Sequence, residues 1–309
     1  MTDESQAAAA APETRCGFVA LIGAPNVGKS TLINALVGSK ISIVSSKVQT
    51  TRALVRGIVM EGEVQIILVD TPGIFVPKRR LDRAMVSAAW SGAHDADLVC
   101  VMLDAKRGLD DEALALMAQL GSSTQPLFLV INKVDTVARE TLLGLAKAAN
   151  ERLAFAQTFM ISALSGSGVA DLRRAMAVAM PEGPLLYPAD QISDAPERYL
   201  AAEVTREKIY RRLHQELPYQ STVETTSWTE RKDGSVRIEQ TIFVERESQR
   251  KIVLGKGGAT IKAIGAESRK ELGDILERSV HLFLFVKVRE DWGNDPERYR
   301  EMGLEFPER

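Results

Sequence analysis

The run "VALIGAPNVGKSTL" constrains this chain more than any other stretch. It places Gly23, Ala24, Pro25, Asn26, Val27, Gly28, Lys29 and Ser30 directly after an apolar run and before a helix-spaced one. The pattern is G-x-x-x-x-G-K-[ST], and it carries meaning only between a strand and a helix. Small residues let backbone N–H groups and the helix N-terminus converge on phosphate oxygens. Lys29 then reaches the β/γ oxygens, and the Ser30 hydroxyl holds Mg²⁺, with Thr31 following in the first helical turn.

Around this loop, short apolar runs alternate with helical spacing. "FVALIG", "VQIILVD", "LVCVMLD", "PLFLVIN" and "TFMIS" are mostly continuously apolar. Strands buried on both faces read this way, as in a parallel sheet covered by helices. Segments 30–37, 81–91, 110–120, 139–153 and 169–180 carry helical spacing. An α/β doubly wound domain is therefore expected over residues 17–182.

Three more motifs fall at strand ends. "ILVDTPG" puts Asp70 where a carboxylate reaches Mg²⁺ through water, followed by Thr71, Pro72 and Gly73, whose N–H can meet the γ-phosphate. "FLVINKVD" supplies Asn132, Lys133 and Asp135. Guanine offers N1–H and its 2-amino group as two donors on one edge, and the Asp135 carboxylate matches both. Adenine would leave that carboxylate unpaired. Asn132 can bond the purine edge or tie its loop to the phosphate loop, and the Lys133 stem can lie over the ring. "MISALSGSG" adds Ser162 and Ala163, with a backbone N–H for the guanine carbonyl, and Leu164 beside them.

Four motifs in this order resemble the translation-factor-like GTPase family. The resemblance implies that a threonine between residues 38 and 52 closes onto Mg²⁺ and the γ-phosphate. Thr50 and Thr51 both fit, and Thr51 is the first choice, which makes Ser30, Thr51 and Asp70 the metal set. Ras-like relatives place a glutamine after D-x-x-G to orient the attacking water. Here Ile74 stands there and cannot hydrogen-bond water, so slow intrinsic hydrolysis is expected. The catalytic candidates are Lys29, Asn26, Thr51 and Gly73. Asn26 either helps bind K⁺ beside the phosphates, its charge replacing an arginine finger, or simply shapes the loop.

Past residue 182 the grammar changes. "PEGPLLYPADQISDAPER" crowds in four prolines, and residues 183–197 read as a linker or an ordered surface connection. Residues 198–290 then give α-β-β-α-α-β, an α+β order. In "SVRIEQTIFVE", Val236, Ile238, Ile242 and Val244 share one face, interrupted by Gln240. Alternation of this kind predicts an antiparallel strand covered on one side.

"KIVLGKGGATIKAI" in this second region reads as helix–loop–helix. Gly255, Lys256, Gly257 and Gly258 lack bulk, so another backbone can approach with the next helix's N-terminus aimed at a phosphate. It is no second triphosphate loop: the lysine comes too early, and Gly257 stands where Ser or Thr should ligate Mg²⁺. The stretch resembles the K-homology RNA-binding domain in its type II topology, whose G-x-x-G loop clamps a single-stranded backbone. Lys256, Lys262, Arg250 and Lys251 are the accompanying RNA candidates. From residue 198 onward Lys+Arg and Asp+Glu number 21 and 20, so phosphate contacts must come from local clusters. A second cluster, Arg206, Lys208, Arg211 and Arg212, lies on one helix.

The pairing of these two domains resembles a bacterial family of small-subunit-assembly GTPases. That resemblance implies GTP and GDP as ligands and binding to small-subunit (16S) rRNA near its 3′ end on 30S precursors. It also implies a cytoplasmic location with peripheral inner-membrane association, and a monomer is expected. The rival reading is a signalling GTPase whose second domain binds a protein.

Composition removes other classes. Two cysteines, Cys16 and Cys100, both in apolar runs, fit reduced thiols and not a disulfide framework. Three scattered histidines without cysteine partners argue against structural zinc. No apolar run approaches membrane-spanning length. Residues 1–16 read as a tail with no signal-peptide pattern, and the acidic residues 291–309 fit no mechanism readable in the sequence.

Overall fold

The computed structural model describes residues 14–45, 47, 50–77, 79–213, 217–290, 292 and 295–307. The N-terminal tail expected over residues 1–16 lies outside these residues up to position 13, and its last two residues, Arg15 and Cys16, belong instead to the first strand.

Six strands form the first sheet, in the order β2-β3-β1-β4-β5-β6. They are β1 (Arg15–Ile22), β2 (Val55–Glu61), β3 (Val64–Asp70), β4 (Leu98–Asp104), β5 (Leu127–Asn132) and β6 (Gln157–Met160). β1 pairs in parallel with β3 and β4, and β5 pairs in parallel with β4 and β6. Every residue of β4 and β5 is buried, which is why these strands read as unbroken apolar runs. Alternate residues feed opposite faces. Val19 and Leu21 pack with α1 (Lys29–Val37) and α5 (Val169–Ala179), whereas Ala20 and Ile22 pack with α2 (Arg80–His94) and α3 (Asp111–Leu120). Beyond them, α4 (Arg139–Arg152) covers β5 through Leu142 and Ala149. Both cysteines are free and buried.

One strand departs from the purely parallel expectation. β2 runs antiparallel to β3 across a turn at Gly62, whose φ is 60°. The signal was present, since a glycine between two apolar runs marks a hairpin. The proline-rich stretch is also an ordered connection and not a loose one. Ile58 N–H donates to the Ile192 carbonyl (3.0 Å) along β2. Arg56 pairs with Asp194 (2.8 Å), and the Gln65 amide donates to the Tyr187 carbonyl (2.8 Å). This satisfies backbone groups that an edge strand would otherwise expose.

The second sheet has the order β7-β8-β9, with β7 (Ser221–Glu230), β8 (Val236–Val244) and β9 (Val280–Val288). β7 and β8 are antiparallel, and β8 and β9 are parallel. α6 (Glu197–Arg212), α7 (Glu247–Leu254) and α8 (Ala259–Leu276) supply the helices, so the order α-β-β-α-α-β is observed. Val236, Ile238, Ile242 and Val244 are the buried face of β8, as the alternation predicts. Gln240 is buried in the same row because it has partners: Thr205 Oγ1 donates to its carbonyl (2.6 Å), and its amide donates to Thr225 Oγ1 (3.4 Å).

Candidate functional site

The strand–loop–helix β1–α1 builds the first site. Gly28 caps α1 at φ 102°, and a Cβ there would lie 2.3 Å from the Asn132 amide nitrogen. A Cβ on Gly23 would lie 2.7 Å from the Met102 carbonyl oxygen. Close approach thus requires both glycines, and the backbone angle requires Gly28 as well. Lys29 is buried and donates to the Gly23 and Ala24 carbonyls (3.0 and 3.1 Å), crossing its own loop. Burial pushes its pKa down to about 8, with Asp70 partly opposing the shift. A cavity of about 340 Å³ opens here, lined by Pro25, Asn26, Gly28 to Thr31, residues 43–45, Thr50, Thr51, Gly73 and Lys133.

The candidate metal residues meet in one place. Ser30 Oγ donates to Asp70 Oδ2 (2.9 Å) and lies 3.0 Å from Thr51 Oγ1, which is 3.4 Å from the same carboxylate oxygen. It is the Thr51 hydroxyl, not that of Thr50, that joins the cluster; Thr50 Oγ1 donates to the Lys47 carbonyl (2.7 Å). Ser42, which nothing in the sequence singles out, also donates to Asp70 Oδ2 (2.6 Å). Burial raises the Asp70 pKa, while hydrogen bonds from Ser42 and Ser30 and the nearby Lys29 charge oppose that shift. The other carboxylate oxygen, Oδ1, is buried without a hydrogen-bond partner. An orphaned carboxylate oxygen beside three hydroxyls is a hard, all-oxygen donor set, and it fits Mg²⁺.

The base-side motifs interlock. Asn132 takes the tying role: its amide donates to the Val27 carbonyl (2.8 Å) and its carbonyl accepts from Ala163 N–H (2.9 Å). The Ala163 N–H expected to meet a guanine carbonyl is therefore engaged by Asn132 in this structure, with Leu164 exposed beside it. Lys133 adopts φ 64° and donates to the Asn26 carbonyl and to Asp104 (both 2.6 Å). Asp135 is exposed on the turn that follows. On the γ-side, Gly73 lies over the loop, where a Cβ would come within 3.0 Å of Pro25, and Ile74 N–H donates to the Gly23 carbonyl (3.1 Å).

The second glycine loop is of another kind. α7 ends at Gly255 (φ 71°), and α8 begins after Gly258 (φ 78°), with Gly257 at φ 61° between them. A Cβ on Gly257 would meet nothing within 4 Å, so the loop is open to an approaching backbone. Lys251, Lys256 and Lys262 are exposed around it. Arg250 is partly withdrawn by an ion pair with Glu247 on its own helix (3.0 Å).

Half of the other basic cluster is turned inward, which corrects the sequence reading for Arg206 and Lys208, while Arg211 and Arg212 stay exposed and pair with Glu207 and Glu267. Arg206 and Lys208 are 1% and 3% exposed and are neutralised by Glu203, Glu207 and Glu271. α6 instead faces Lys40, Val44, Lys47, Thr50 and Arg52. Lys40 pairs with Glu207 (2.7 Å) and with Glu271, and Val44 N–H donates to Glu207 (2.9 Å). Burial alone would raise the Glu207 pKa, but Lys40, Lys208 and Val44 N–H hold it below the usual range. Arg206 donates to the Thr50 carbonyl. Arg52 donates to the Ser221 carbonyl (2.8 Å) and to the Tyr210 hydroxyl (3.0 Å). These partners lie 156 to 231 residues apart in sequence, and no local pattern could have announced them.

Comparison with known proteins fits both sites. A family described as "50S ribosome-binding GTPase" matches residues 18–133, and the KH domain matches residues 216–293. The chain is 77% identical over 294 residues to GTPase Era of Afipia carboxidovorans, covering 95% of this chain and 96% of that one. It is 67% identical over 297 residues to GTPase Era of Brucella suis, covering 96% of each. A crystal structure of an Aquifex aeolicus Era variant bound to GDP·AlF4⁻ matches with TM-score 0.89 at 37% identity, over 94% of this chain and 99% of that one. A structure of Era with MgGDPNP and nucleotides 1506–1542 of 16S ribosomal RNA matches with TM-score 0.88 at 37% identity, over the same shares. With two sites, two domains and near full-length identity in agreement, the chain belongs to the Era family of GTPases.

Proposed function

We propose that this GTPase is a nucleotide-driven switch that binds 16S rRNA near its 3′ end and acts in small-subunit assembly. The observation that carries the reading is the likeness to Era held with MgGDPNP and nucleotides 1506–1542 of 16S rRNA. The open loop at residues 255–258, with Lys251, Lys256 and Lys262 around it, is the surface assigned to that RNA. The "50S" in the matched family's description belongs to a GTPase family reaching only to residue 133 and says nothing of this second domain. The rival protein-binding reading is disfavoured by the KH match. The limits expected from the sequence, 17–182 and 198–290, begin just inside β1 and α6, so the domain limits we assign are 15–182 and 197–290.

Residues 23–31, 70–73, 132, 133, 135 and 162–164 are assigned to the nucleotide. Lys29, now turned onto its own loop carbonyls, would exchange them for phosphate oxygens, a charge-assisted bond in a dry site. Ser30, Thr51 and Asp70 would hold Mg²⁺, which on binding neutralises charge on the phosphates. Asp135 would select guanine. Gly73 N–H would turn toward the γ-phosphate, which requires the Ile74–Gly23 bond to open. Ile74 leaves water unoriented, so slow intrinsic turnover is expected.

The packing of Lys40, Val44, Thr50 and Arg52 on α6 supplies a route between the sites. Drawing Thr51 toward a γ-phosphate pulls on Arg52 and the Thr50 carbonyl, both held by the second domain. Crosslinking and sequencing in cells, with GTP- and GDP-locked states compared, tests the whole reading. Recovery of the 16S 3′ region at residues 255–258 supports it, and absence of ribosomal RNA overturns it.

Two finer assignments follow. Asn26, exposed at the mouth of the cavity, offers its side chain to K⁺, although φ 64° is itself a reason for asparagine there. Equal GTP turnover in potassium and in sodium would leave only the loop-shaping role. Peripheral membrane association and a monomeric state rest on the family resemblance. Among the described residues no helix is long and apolar enough to cross a membrane.

A further inference from the structure

The C-terminal end, which fitted no mechanism in the sequence, crosses back to the first domain. Tyr299 and Leu304 are 1% and 4% exposed and pack on Ala84 and Met85 of α2, with Phe75 against the same cluster. The Arg80 guanidinium lies 4.8 Å from the Phe306 ring centre, and that ring meets Tyr299 edge-on at 4.9 Å. At the root of the segment, buried Trp292 donates to the Gln220 carbonyl (3.0 Å) and carries the Arg52 guanidinium 5.5 Å from its ring. One short segment therefore touches the residue after Thr51 and the helix that follows Gly73. Phe75 stands only two residues beyond Gly73. A shift of Gly73 toward a γ-phosphate must move Phe75 and disturb the apolar grip of Tyr299 and Leu304.

We propose that Trp292 and residues 295–307 form a strap that reads both nucleotide-contacting segments and passes their state to the second domain. Tyr299 and Leu304 are its positioning residues on α2. Packed elements have discrete arrangements, so a grip on α2 favours one of them over the other. Coupling of this sort typically changes relative affinities by roughly 5- to 150-fold.

The proposal rests on the nucleotide-site reading, and GDP binding titrated in the same sample reports on that reading separately. Hydrogen exchange of the full chain is compared with GDP and with a non-hydrolysable GTP analogue. Exchange within residues 295–307 should differ severalfold between the two states, and identical exchange overturns the strap. In parallel, Leu304→Ala and Tyr299→Ala should change the ratio of analogue to GDP affinity by about threefold or more, with Tyr299→Phe restoring it. A strap that only stabilises the fold would lower the melting temperature and leave that ratio unmoved, and this outcome also refutes the proposal.

Discussion

The two glycine loops look alike in sequence and differ in what surrounds them. In the first, Gly23 and Gly28 sit where a Cβ would strike Met102 and Asn132, and the lysine is buried. In the second, Gly255 is packed just as closely, with a Cβ 2.2 Å from Thr260 Oγ1, but a Cβ on Gly257 would meet nothing within 4 Å and Lys256 and Lys262 are exposed. The first loop is a finished cradle whose glycines serve internal packing as well as phosphate. The second is an open edge that only an incoming backbone completes. Damage to the first should therefore propagate through its own domain, whereas damage at Gly257 should stay with its ligand.

Gly28→Val should have the largest effect. Strain at φ 102° together with overlap on Asn132 costs about 3 kcal/mol, so GDP affinity measured by calorimetry should fall ~100-fold or more. A near-normal affinity would break the comparison at once. Asp135→Ala should weaken GTP by roughly 10- to 100-fold, as expected for a lost charge-assisted pair, with RNA binding retained. Equal loss for a nucleotide with another base would show that Asp135 does not read guanine. Lys256→Ala should weaken RNA uniformly across sequences and lower the salt slope by about 0.7, while GDP affinity holds. Lys40→Ala should be mildest. Glu207 is buried but keeps Lys208 and Arg211, so melting should drop by about 3 °C, or about 1 kcal/mol.

Much of this was legible in the chain because the relevant signals are local. Strand, loop and helix of the phosphate site adjoin in sequence, and continuous burial wrote β4 and β5 as apolar runs. Thr51 was already the first choice, but what separates it from Thr50 is the direction of two hydroxyls, which sequence does not encode. Ser42 and the orphaned Asp70 oxygen were out of reach for the same reason. Arg206 and Lys208 misled because a basic run on a helix looks identical whether it faces water or buried carboxylates. The segment after β9 misled because its charge hid two apolar anchors, Tyr299 and Leu304, whose partners are about 215 residues away.

The most direct measurement of the division of labour is a double substitution at the open loop. Gly257→Asp with Gly258→Asp adds repulsive charge where the RNA backbone is assigned; a Cβ there meets nothing closer than 4.0 Å, and Asp adopts the positive φ of both positions more readily than most residues. Binding to a labelled RNA of 16S nucleotides 1506–1542 should fall at least tenfold, roughly 1.4 kcal/mol or more. GDP affinity in the same preparation should stay within about twofold, because that nucleotide belongs to residues 23–30. Loss of both ligands together, or undiminished RNA binding, would contradict the account.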